Sequence, residues 1–198
     1  MTQIQIAEDS AVEATTETTW SNLIADVRLT CRARPVVIDH FRVDLLDPLR
    51  EAAIARYKTR RSTPTLNVGG WRSDDLAFWG EACATALIEA IYSRVAFGEI
   101  VTWAMVNRLG SHHPRHRHDG AIVSGIYYLD PGEDPSSPTV FELGARGRDG
   151  AKPKRGAPEM AVDATAGRLV LFPGDMWHGT RPYAGDRPRI TVTFDVRR

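Results

Sequence analysis

Cysteine is nearly absent from the 198 residues: Cys31 and Cys83 stand far apart and outside any CxxC pattern. A disulfide framework and a structural zinc site are therefore not expected, and a reducing compartment such as the cytoplasm fits. A charge excess is lacking too, because 25 Lys and Arg balance 25 Asp and Glu. No whole-molecule field then argues for nucleic acid or an anionic membrane as partner. No window approaches eighteen uninterrupted apolar residues, so no membrane-spanning helix is expected. The opening MTQIQIAEDSAVEATTETT is acidic and Thr-rich and lacks the basic and apolar regions of a signal peptide. Internal repeats and long linkers are missing as well. What is present is 42% apolar and 25% charged residues, the balance of an ordinary globular chain, at a length that suits one domain over 1–198.

Two halves read differently. Residues 1–18 are polar and suit a loose arm or an edge strand, and a short helix is expected from Ser21 through Leu23, Ile24 and Val27. Pro35-Val36-Val37-Ile38 opens a strand. The segment DPLREAAIARYK predicts a helix capped by Asp44 or Asp47, with Pro48 in its first turn. Apolar spacing over Asp74 to Ala96 predicts a third helix that begins on two acids. Residues 19–98 thus form a largely helical support. From about residue 99 onward, TWAMVNRL, AIVSGIYYL, PTVFEL, GRLVLF and PRITVTFDV are short alternating or apolar runs separated by Gly, Pro and Asp. Mainly β structure with flanking α-helices follows: an antiparallel sandwich or barrel with helices on one outer face. The Gly- and Arg-rich stretch from Ala145 to Pro158 reads as a long loop, either a binding loop or a solvated excursion.

Four of the six histidines crowd into SHHPRHRHDG, from Ser111 to Gly120. Neutral imidazole is the commonest metal ligand. Residues i and i+2 of a strand share a face, so His116 and His118 at the start of a strand would make a pincer for one metal. His112 and His113 fall in the preceding loop. A histidine-rich surface cluster is the plain alternative. His178, in LVLFPGDMWHGTRPY, follows a buried strand and its Pro-Gly turn. By itself it reads as a hydrogen-bonded core residue, but with the pincer it completes a facial triad that leaves coordination positions open. Alternation in PRITVTFDV puts Arg189, Thr191 and Thr193 on one face and Ile190, Val192 and Phe194 on the other. A guanidinium inside a small barrel suits a carboxylate, gripped through two parallel hydrogen bonds with Thr191 assisting. An outward, solvated Arg189 is the alternative.

The order HxH, SGIYYL, LFPGDMWHG and GDRPRIT followed by TFDV resembles a bacterial family of 2-oxoglutarate/Fe(II) oxygenases. NVGGWRSDDL and WAMVNRLG extend the likeness over roughly Asn67 to Val196. The resemblance implies a double-stranded β-helix, the jelly roll of cupin-like proteins. It makes His116 and His178 iron ligands and Arg189 the anchor of the distal carboxylate of 2-oxoglutarate, with Thr191 assisting. A tyrosine of the YYL strand would join that contact, and parity with Ser124 and Ile126 selects Tyr128 over Tyr127. Asn107 becomes a cofactor or substrate contact; Trp103 and Met105 share its face and are expected to pack in the core. In one respect the chain departs from most such oxygenases, which carry an acid two positions after the first histidine. Here that position is His118, and strand parity favours it over the neighbouring Asp119, which a bulge could bring in. The implied activity is hydroxylation of a C–H bond with Fe(II) and dioxygen and with decarboxylation of 2-oxoglutarate to succinate. The basic loop from Arg146 to Arg155 suits an acidic small molecule or a peptide, and the expected target is an amino-acid side chain in one of these, as in natural-product tailoring. Two alternatives stay open: a three-histidine dioxygenase that does not use 2-oxoglutarate, and a non-catalytic metal- or ligand-binding module.

Overall fold

The computed structural model describes residues 3–5, 36–40, 46–95, 98–134, 137–143 and 156–198. Its frame is set by three long neighbouring strands, β4 (Glu99–Asn107), β5 (Val123–Asp130) and β10 (Arg189–Arg197). With β1 (Gln3–Gln5), β2 (Val36–His40), β3 (Trp71–Asp75) and β8 (Arg168–Pro173) they form a seven-stranded sheet in the order β1-β2-β8-β5-β10-β4-β3. A second sheet, β7-β6-β9, is built from β6 (Thr139–Glu142), β7 (Glu159–Val162) and β9 (His178–Thr180). Every pairing is antiparallel. The fold is an antiparallel sandwich with flanking helices, as the alternating runs predict, and it is the jelly roll that the resemblance implies.

Two cores hold it together. On the outer face of the large sheet, helices α1 (Leu46–Thr59) and α2 (Ala82–Val95) bury Leu49, Ala53, Leu87, Ile91 and Val95. They pack against Val106, Tyr127, Leu171, Val192 and Phe194. Between the sheets, Ile126, Tyr128, Val170 and Phe172 meet Phe141, Val162 and Met176. Gly125 is matched to Phe194: the two residues are register partners, and a Cβ at 125 would lie 2.1 Å from the Phe194 ring.

Several expectations are corrected. Asp74 and Asp75 do not open a helix. They end β3, and the Asp75 carboxylate caps a single 3-10 turn over Leu76–Phe78 through the Ala77 N–H. Gly80 then takes φ +77°, a conformation that ends any helical continuation, and α2 begins only at Ala82. Helix α1 starts at Leu46, so Asp47 sits inside its first turn and pairs with Arg50 instead of capping, while Pro48 keeps its favoured early position. The sheet also draws β3 from the half of the chain expected to be mainly helical, whereas β2 falls where the strand opening at Pro35 is expected. Asp44, the helix from Ser21, the rest of the 1–18 arm beyond β1, and residues 145–155 of the long loop lie outside the described residues. Among the described residues no helix is long and apolar enough to cross a membrane.

Candidate active site

His116 and His178 face each other across a reciprocal backbone pair, each N–H donating to the other's carbonyl at 2.9 Å. This isolated bridge, not a full strand, carries His116, because β5 begins only at Val123. A third backbone bond, from His118 N–H to Gly174 O at 2.7 Å, keeps the segment extended, so the i, i+2 rule still applies. The three imidazoles of His116, His118 and His178 converge with one ligand atom each, all within 4.8 Å of one another. Asp119 does not join them: its carboxylate is 76% exposed and accepts from Arg117 Nε at 2.8 Å. Of the two middle candidates, the one brought to the cluster is His118.

Each ring is held by its Nδ1. That nitrogen meets Pro114 O at 2.8 Å in His116, Met176 O at 2.9 Å in His178, and Asp195 Oδ1 at 2.5 Å in His118. With Nδ1–H donating to these oxygens, the Nε2 lone pairs are left for a common ion, and the Nε2 atoms of His116 and His118 lie 3.3 Å apart. Burial, followed by the mutual influence of the neighbouring imidazoles, pushes the His178 pKa well below its ordinary value. Burial also lowers that of His116. His113, whose ring stacks on His116 at 4.9 Å, is pushed down to about 3, first by burial and then by His116 and His118. Neutral imidazoles at neutral pH are what a metal requires of these residues.

The cluster opens into a cavity of about 570 Å³. Phe172 and Phe141 back His178 from the core, with ring centroids at 4.6 and 5.8 Å. On the cavity wall Trp103 stacks on His118 at 6.0 Å, and the Arg72 guanidinium lies 4.4 Å over the Trp103 ring. Trp103 is thus part of the site wall as well as buried. Sequence reasoning passed over Arg72, Thr139, Ser124 and Asp195. Asp195 was accessible, since the alternation that selects Arg189, Thr191 and Thr193 reaches it next. Burial alone would raise the Asp195 pKa, but the bond from His118 and the Ser124 hydroxyl prevail and hold it below the usual carboxylate range.

None of the expected cofactor contacts lines the cavity itself; Arg189 and Thr191 lie at the start of β10, Tyr128 on β5 and Asn107 at the end of β4. Arg189 is 4% exposed and faces inward, which removes the solvated alternative. Its Nε, Nη1 and Nη2 donate to Pro131 O at 3.0 Å, Ser137 O at 2.5 Å and Asp134 O at 2.6 Å. Three of its five N–H groups therefore clamp a loop, leaving one on each terminal nitrogen. Thr191 pairs in register with Tyr128, whose hydroxyl lies 2.7 Å from Thr139 Oγ1, and Thr139 does line the cavity. Asn107 is engaged elsewhere: its Oδ1 accepts from Asn67 Nδ2 at 2.6 Å in a pair packed beside Gly70.

Residues 101–195 match the model of a family described as "Putative 2OG-Fe(II) oxygenase". This segment belongs to the 2OG-Fe(II) oxygenases. The protein is thus an enzyme that uses Fe(II), 2-oxoglutarate and dioxygen. Solved structures agree on the fold. A Pseudomonas putida prolyl-4-hydroxylase is 20% identical, with 91% of this chain and 99% of that one covered at a TM-score of 0.63. SnoK, a non-heme alpha ketoglutarate dependent carbocyclase from nogalamycin biosynthesis, is 15% identical over 89% and 85% at 0.65. A prolyl hydroxylase from Trichoplax adhaerens, in complex with a peptide fragment of the hypoxia inducible factor oxygen degradation domain, is 16% identical over 91% and 94% at 0.59. No curated protein sequence matches. For the oxygenase, the donor set fits ferrous iron: three neutral nitrogens from one side leave the remaining positions free.

Proposed function

We propose that the chain is, over 1–198, one domain that hydroxylates a C–H bond on an amino-acid side chain in a small molecule or peptide. The observation that carries this reading is the convergence of His116, His118 and His178, each with Nδ1 tied back and Nε2 turned to a common point. These three residues hold the iron. The oxidising chemistry is supplied by Fe(II) with dioxygen and 2-oxoglutarate, which is decarboxylated to succinate. The chain's own part is to bind and orient. Arg189 offers its two remaining N–H groups to the distal carboxylate of 2-oxoglutarate, with Thr191 and the Tyr128 hydroxyl beside it. Asn107 braces the end of β4 opposite Arg189 through Asn67. Phe141 and Phe172 keep water from the back of His178, and Trp103 and Arg72 line the wall that a substrate meets. The prolyl hydroxylases among the similar folds, one of them holding a peptide, support an amino-acid side chain as the target.

Anaerobic addition of Fe(II) and then 2-oxoglutarate to the apoprotein tests the first half of this reading. A visible charge-transfer band that grows with 2-oxoglutarate is expected, and an iron-loaded protein without it overturns direct chelation. Mass spectrometry of amino acids and short peptides turned over under air tests the second half. A gain of one oxygen atom coupled to succinate is expected, and a product changed without added oxygen overturns hydroxylation.

A further inference from the structure

A facial triad that contains one carboxylate brings a negative charge into contact with the metal, whereas three neutral imidazoles bring none. The structure holds a carboxylate one bond further out. Two of the three Nδ1 atoms are tied to backbone carbonyls, but that of His118 is tied to Asp195, 77 positions away in the chain, at 2.5 Å. Asp195 is 5% exposed, on the inward face of β10, and the Ser124 hydroxyl donates to the same oxygen at 2.7 Å. The nearest cation to its other oxygen is Arg197 Nη2 at 3.7 Å, on a half-exposed side chain. Arg72, on the same cavity wall, also feels this charge. The carboxylate is nevertheless buried, and its one hydrogen-bonded ring is that of His118, with a neutral hydroxyl on the same oxygen.

We propose that Asp195 is a positioning residue that supplies, through the His118 imidazole, the negative charge the three-histidine set lacks. A carboxylate behind a ligating imidazole fixes the tautomer that keeps Nε2 free and makes that nitrogen a stronger donor. Inside the sandwich, where screening is weak, the effect reaches the ion. The missing acid of the HxH segment is thus provided from the opposite sheet. This inference rests on the reading of His116, His118 and His178 as iron ligands.

The Asp195→Asn substitution tests it, because asparagine keeps an acceptor oxygen for Nδ1–H and removes only the charge. Co(II) affinity, measured against a chromophoric chelator, is expected to fall about 10- to 100-fold. In the Fe(II)-loaded variant the 2-oxoglutarate charge-transfer band is expected to move to shorter wavelength, since a less electron-rich ion gives up its electron less readily. An unchanged affinity, or a weakened affinity with the band unmoved, overturns the proposal; the second result would leave Asp195 a strut. If the variant does not fold, nitrogen-15 NMR of the zinc-loaded wild-type protein decides. His118 is expected to carry a strongly downfield proton on Nδ1 with Nε2 on the metal, and the reverse arrangement overturns it. His116→Ala and His178→Ala serve as controls. If neither weakens Co(II) binding, the ligand reading itself has failed; if both do while Asp195→Asn does not, only the role of Asp195 has.

Discussion

The two faces of β10 make the clearest comparison in the molecule. Outward, Ile190, Val192, Phe194 and Val196 pack with the helices into a wholly apolar core. Inward, Arg189, Thr191, Thr193 and Asp195 point between the sheets, and three of the four are buried like the apolar set. Burial alone therefore does not separate structure from function here; the cost of burial does. Apolar side chains are stabilised by leaving water, at roughly 25 cal/mol per Å². A buried guanidinium or carboxylate is tolerated only where partners replace the water it loses. Arg189 finds backbone carbonyls and Asp195 finds Ser124 and His118, so the inward face is a set of compensated charges, of which Asp195 lines the cavity and Arg189 does not.

Substitutions on either face break the comparison in opposite ways. The largest effect is expected from His178→Ala, which removes one of three converging donors: iron binding and succinate formation are lost, while the circular dichroism spectrum of the apoprotein stays as in the wild type. Phe194→Ala on the outward face should do the reverse. It should cost about 3–5 kcal/mol of stability by urea denaturation and leave Co(II) affinity unchanged below the transition. Arg189→Ala touches both properties. A hydrogen bond to a charged group contributes about 1.5–3 kcal/mol, so the 2-oxoglutarate concentration needed for half-saturation should rise on the order of 10- to 100-fold. The same variant should melt earlier, because Pro131, Asp134 and Ser137 lose their clamp. A normal half-saturation with a lowered melting point would reduce Arg189 to that clamp alone.

The smallest effect concerns pH. His113, His116 and His178 all have folded pKa values below their ordinary one, with His113 at about 3. Between that value and about 6.5 the unfolded chain takes up protons that the folded chain refuses. Their contribution to stability is therefore complete above about pH 6.5 and is lost as pH falls toward 3. Depression of the Asp195 pKa acts in the same direction at lower pH. Urea midpoints of the metal-free protein should accordingly decline from about pH 7 to about pH 5, and a flat profile over that range contradicts burial of the neutral rings.

Much of this was legible in the sequence where a period could be read. Strands β4, β5, β8 and β10 are long enough for alternation or an apolar run to reveal them, and the inward orientation of Arg189 follows from that alternation. Strand β9 has three residues and no period to read, although it carries His178. The false helical start at Asp74 arose because two acids before an apolar run look alike whether they open a helix or end a strand; the stop lies in the conformation of Gly80. The grip of Arg189 on Pro131, Asp134 and Ser137 was invisible for a different reason. Its acceptors are backbone carbonyls, which every residue has. Asn107 was expected to be a cofactor or substrate contact, and its pairing with Asn67, forty positions away, is a contact that neither motif nor parity can express.

The backbone pair between His116 and His178 has a mechanical side. It ties the 111–122 segment to β9 of the small sheet, while the His118 ring reaches Asp195 in the large one. An ion held by all three rings would act as a rivet through both layers of the sandwich. Loading it to a hundred times its dissociation constant adds about 2.7 kcal/mol to the cost of opening. Amide protons of β9 and of the His116 bridge should then exchange more slowly in the metal-loaded protein than in the apoprotein, and those of α1 much less so.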